Sequence, residues 1–88
     1  MTFDSILWDL DDDPAGNVQH CAQHGVLPHE VEEALIHATD VDISRSSGFP
    51  AAFGDTKAGR HLMVVFEQVD SSTVYPITAY DVPRRQRS

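Results

Sequence analysis

The chain has 88 residues, of which 41% are hydrophobic, and a formal net charge of −8. That is material for one small domain and excludes the fibrous and disordered classes. The excess of acid excludes nonspecific attraction to nucleic acid, which draws its affinity from Lys and Arg, and the single Cys21 excludes an intrachain disulfide.

A domain of this size buries only roughly 60 to 65% of the surface its unfolded chain exposes, so a thin core is expected. The opening MTFDSILWDLDDD has no basic region, and its apolar stretch is too short for a signal peptide or a membrane span. A cytoplasmic protein without membrane contact is therefore expected. The charge is split along the chain. Residues 1–44 carry ten acids and no Lys or Arg, whereas residues 45–88 carry six bases and four acids. An anionic ligand would bind the second half, and a basic partner the first.

In chain order, Phe3, Ile6 and Trp8 alternate imperfectly with polar residues and predict a first strand ending near Asp9. Asp11, Asp12 and Asp13 before Pro14 read as a helix start, since Asp caps free N–H groups and Pro is tolerated in the first turn. Val18, Cys21 and Ala22 follow at helical spacing, and Gly25 stands where a left-handed cap is needed, so helix one is predicted over 14–24. Pro28 opens a second helix over 28–37, with Val31, Ala34, Leu35 and Ala38 as its buried stripe.

After Thr39 the period changes to two. Val41 and Ile43 mark one strand, Ser46 to Gly48 a turn, and Phe49 to Asp55 another strand. His61 to Val69, with a continuous apolar centre, predicts a central strand. Asp70 to Ser72 turn the chain into a last strand over 73–80, where Pro76 requires an edge or a bulge. The expected fold is α+β: an N-terminal strand, two helices, then a three- to four-stranded antiparallel meander with the helices on one face. A single domain over 1–83 and a flexible basic tail over 84–88 complete the reading.

Several residues bear chemistry. His20 and His24 are i and i+4 on one helix face, but the Glu of a zinc-protease pattern is absent and His29 is only a conceivable third ligand. No metal and no cofactor are expected. His24 near a helix C-terminus suits proton transfer or a phosphate contact, and equally a plain helix cap. Cleavage of RNA through its own 2′-hydroxyl needs a base, an acid and a cation on the phosphate. Arg60 has the bidentate fork for the last role, with Lys57 and Arg45 the other Lys or Arg residues before the tail. As a lone Arg in a hairpin, Arg60 is also simply a solvated charge. Glu67, Tyr75 and Tyr80 could each move a proton or stack a base, or fill core and edge. Arg84, Arg85 and Arg87 are a solvated end or an RNA contact.

Trp8 and Asp9, then Asn17, His20 and His24–Gly25–Val26, then Pro28, Glu30, Val31 and Glu33 resemble the opening signature of the BrnT-like toxins. The run from Gly59, Arg60 and Leu62 through Val64 and Val65 to Thr78 and Ala79 is similar to that family's sheet. The resemblance implies a RelE-like fold and a metal-independent endoribonuclease that arrests translation. It also implies a small DNA-binding antitoxin from the same operon as partner, with oligomers open through that complex. By position it implies a catalytic or phosphate-binding Arg60 and a His24 in the wall of the active site; the residues themselves add His20 as an alternative acid or base and Glu67 or Tyr80 as a helper. Gln23 stands where typical members carry Lys, and Tyr80 where they often carry Arg. The rival reading is a non-catalytic protein-binding module on the same fold, whose acidic helical half engages a basic partner.

Overall fold

A computed structural model describes residues 4–43 and 48–83. In chain order these form β1 (Ser5–Ile6), α1 (Asn17–Ala22), α2 (Pro28–Ile36), β2 (Asp40–Ile43), β3 (Pro50–Asp55), β4 (His61–Gln68) and β5 (Thr73–Asp81). The chain is thus α+β, with two helices and a five-stranded mixed sheet among the described residues, ordered β1-β5-β4-β3-β2. Consecutive pairs from β2 to β5 run antiparallel, and β1 runs parallel to β5. The parallel pair follows from the chain's path, because both helices lie between β1 and the rest of the sheet and return the chain before it adds strands.

Two expectations differ in extent. The first strand stops at Ile6 and Phe3 lies outside the described residues. Leu7 still donates its N–H to the Val74 carbonyl, but beyond it the Asn17 side-chain amide enters between the strands. That amide donates to the Leu7 carbonyl at 3.0 Å and the Pro76 carbonyl at 2.8 Å, and Pro76 has no N–H to extend the ladder. Helix one is shorter than predicted, beginning at Asn17. The Asp11–Pro14 stretch makes turns, with Asp13 N–H on the Leu10 carbonyl, Gly16 N–H on the Asp13 carbonyl and Ala15 N–H on the Asp13 side chain. The carboxylate that meets the helix start comes from Asp9, which accepts the Asn17 N–H at 2.9 Å.

At Pro76, an edge or a bulge is expected. β5 lies between β1 and β4 rather than at an edge. The alternative holds: Val65 faces Thr78 while Phe66 faces Pro76, so Ile77 is the extra residue of a bulge.

Helix one closes through two bonds, Gly25 N–H to the Ala22 carbonyl and Val26 N–H to the Cys21 carbonyl, with Gly25 at φ +73°. This paired closure needs the left-handed residue that glycine supplies without strain. Helix two begins at Pro28, and Glu30 reaches back to accept the Leu27 N–H at 3.0 Å. Its buried stripe is Val31, Ala34 and Leu35, as the spacing predicts.

The core joins Cys21, Val26, Val31, Ala34 and Leu35 to Ala52, Leu62, Val64, Phe66, Val74 and Ala79. By register these six strand residues share one sheet face. α2 lies so near β3 that a Cβ built on Gly54 would stand 1.9 Å from the Ala34 carbonyl oxygen. No described helix is long and apolar enough to cross a membrane.

Candidate functional site

The turn over 56–60 aims Arg60. Thr56, 5% exposed, accepts the Arg60 N–H on its hydroxyl at 3.1 Å and donates its own N–H to the Arg60 carbonyl at 2.9 Å. The guanidinium then crosses to the end of β5 and the start of α2. Nε and Nη2 bind the two oxygens of Asp81 at 2.9 and 2.6 Å, a bidentate fork. Nη1 binds both oxygens of Glu30 at 2.9 Å and the Gly25 carbonyl at 3.0 Å. Every nitrogen of the group therefore has a protein acceptor.

The electrostatics follow from that enclosure. The Asp81 carboxyl is held below its usual range, chiefly by the hydrogen bond from Arg60. Burial pushes the Glu30 carboxyl up, but the Leu27 N–H and Arg60 outweigh it and the net direction is down. Arg60 is held more firmly protonated, first by Asp81 and then by Glu30. One cation facing two carboxylates leaves this cluster formally anionic.

Immediately beside it stands a row of rings. His20 and His24 are exposed, with centroids 6.3 Å apart, and His24 lies 5.6 Å from the half-buried Tyr80. The Tyr80 hydroxyl reaches the Met63 sulfur at 3.8 Å. Because Gly25 follows His24 and Asp81 follows Tyr80, the row and the Arg60 enclosure share one end of the molecule. Four sequence candidates thus come together: Arg60, His24, His20 and Tyr80.

The others do not join them. Glu67 is exposed near the opposite end of β4, where it faces Tyr75. Lys57 is exposed in the turn over 56–60, and its backbone N–H is taken by Glu33 at 3.0 Å. Arg45, Arg84, Arg85 and Arg87 lie outside the described residues. Among the described residues no group of three or more His, Cys, Asp or Glu is arranged to hold a metal, and His29 faces Glu30 electrostatically.

A second polar cluster fastens α1 and β1 to β5. Asn17, 2% exposed, receives the Asp9 N–H on its Oδ1 at 2.9 Å while its amide bridges Leu7 and Pro76. The Tyr75 hydroxyl donates to the same Asp9 carboxylate that accepts the Asn17 N–H. That bond pushes the Tyr75 phenol up to about 12 and holds Asp9 down. Asp81 and this network are what sequence reasoning misses. Asp81 is discoverable only through the hairpin register, which sets it opposite Leu62 and so beside Arg60.

No family model, curated protein or solved structure matches the chain.

Proposed function

We propose that this chain is a protein-binding domain on a RelE/BrnT-like plan, and that it engages a basic partner through its carboxylate-rich surface. The observation that carries this reading is the enclosure of Arg60 by Glu30, Asp81 and the Gly25 carbonyl. A phosphate would have to displace a bidentate carboxylate and then sit beside it, which costs affinity instead of supplying it. All fourteen acids of the chain fall among the described residues, against two bases, Lys57 and Arg60. A field of that sign steers cationic partners. A small DNA-binding antitoxin, rich in Lys and Arg for its own phosphate contacts, is a partner of the right charge.

A second reading, the RNA-cleaving toxin, is favoured by one observation: the row His20, His24 and Tyr80 beside Arg60, drawn from α1, its closing turn and β5. The two readings separate in one pair of assays. On the first, the purified protein leaves RNA intact and its expression does not arrest growth, while it binds cationic peptide in a salt-sensitive manner. RNA cleavage by the wild type that disappears in His24→Ala and Tyr80→Phe overturns the binding reading in favour of the toxin.

A further inference from the structure

We propose that β2 docks an extended segment of a partner protein in which apolar residues alternate with Lys or Arg, an inference that rests on the binding reading and gives it a location. The order β1-β5-β4-β3-β2 pairs β2 with β3 on one side and, among the described residues, with no strand on the other. Such an edge keeps backbone N–H and C=O groups that a further strand can take up. All four residues of β2 are exposed. Val41 and Ile43, opposite Ala52 and Pro50, lie on the sheet face that carries the helices, since Ala52 belongs to the core. α2 packs on β3 and β4 and leaves Val41 43% and Ile43 59% exposed. The other edge differs: β1 has two residues, and beyond it the Asn17 amide takes the Pro76 carbonyl of β5.

The alternation of β2 selects the occupant. Asp40 and Asp42 stand opposite Phe53 and Ala51, on the face away from the helices, so acid and apolar residues take opposite faces of one strand. Asp42 is held at the strand by the Ile43 N–H, whose nitrogen lies 2.8 Å from its Oδ1. Residues opposite one another across a ladder share a face. A second copy of β2 therefore has no favourable register. Shifts that set Val41 and Ile43 beside their own kind set carboxylate directly opposite carboxylate, and the intervening shifts set each carboxylate opposite a Val or an Ile. A strand with Lys or Arg at alternate positions pairs them with Asp40 and Asp42 while its apolar residues lie beside Val41 and Ile43. Nucleic acid or an anionic lipid surface would bring phosphates against the same carboxylates.

The test uses the full chain with a synthetic alternating Lys/Val peptide, a control peptide of the same composition in block order, calorimetric titration and NMR. The expected result is saturable one-to-one binding of the alternating peptide, tighter than that of the block peptide. Amide exchange in β2 slows, and the Val41 and Ile43 methyl signals move while those of Val31 and Leu35 stay in place. The pair Asp40→Lys with Asp42→Lys weakens binding about tenfold or more, whereas the equal charge change Asp11→Lys with Asp12→Lys, also at exposed positions, does so much less. Equal weakening by both pairs, or equal binding of the block peptide, overturns the edge site while leaving a generally acidic binding surface intact. Self-association of the wild type that protects the β2 amides overturns the choice of partner. Absence of binding to either peptide at low salt overturns both the edge site and the binding reading.

Discussion

Replacing Asn17 with Ala tests whether one buried side chain holds the front of the molecule to the sheet. The substitution removes three bonds, from Asp9 N–H and to the Leu7 and Pro76 carbonyls, at a residue 2% exposed. A net bond is worth about 0.5–1.5 kcal/mol, and a buried group left without a partner costs about 1–3. The bond to Pro76 is fully buried and the others partly so, so a loss of about 3–5 kcal/mol is expected, between the two limits. Total stability for a domain of this size is only about 4–13 kcal/mol. In urea denaturation followed by Trp8 fluorescence, Asn17→Ala should lower the midpoint sharply at unchanged slope, or lower Tm by at least about 12 °C. Gln19→Ala on the exposed face of the same helix should cost less than about 1 kcal/mol. If the two variants unfold together, Asn17 is not the fastening and the account of why β1 stops at Ile6 fails with it.

Other outcomes follow from the same geometry. Gly54→Ala drives a Cβ toward the Ala34 carbonyl oxygen, so α2 must lift from β3 and thermal denaturation should show a loss of about 1–3 kcal/mol. Asp81 and Glu30 both titrate below their ordinary values in the fold. Their contribution is therefore present above about pH 4 and lost as pH falls through the depressed values; Asp81→Asn should flatten the acid limb of a stability-versus-pH curve measured by urea midpoints. Burial pushes the Cys21 thiol up to about 11 and leaves it 0% exposed. A thiol reagent at neutral pH should accordingly label Cys21 only as fast as the protein unfolds, and rapid labelling of the native state would contradict its position in the core.

The elements legible in the sequence are those whose causes are local. Pro28 with its apolar stripe marks α2 within a residue, Gly25 marks the left-handed closure of α1, and Pro76 marks a disruption that becomes the Ile77 bulge. Where the cause is distant, local reading goes astray. The Asp11–Asp13 run has the composition of a helix cap, yet the carboxylate that caps Asn17 is Asp9, which is itself aligned by Tyr75 from β5. Charge counting likewise finds an Arg60 among few cations and infers a vacancy for phosphate. Only the pairing of β4 with β5 and the closure of the helix turn bring Asp81 and Glu30 to it.

Arg60 therefore reconciles the charge split along the chain with the fold. One acid from the helical half, Glu30, and one from the sheet half, Asp81, converge on it, and the Gly25 carbonyl adds the turn between the helices. The residue binds the two halves together, at the end of the molecule where His24 and Tyr80 also stand. Its fork is spent on a carboxylate whose side chain is 57% exposed, the more solvent-accessible of its two acidic partners. For RNA chemistry at His24 and Tyr80, the fork would have to be released from Asp81, and the charge then facing the phosphate would be Asp81 itself. A basic protein meets no such conflict, because each carboxylate that repels a phosphate attracts a lysine or an arginine.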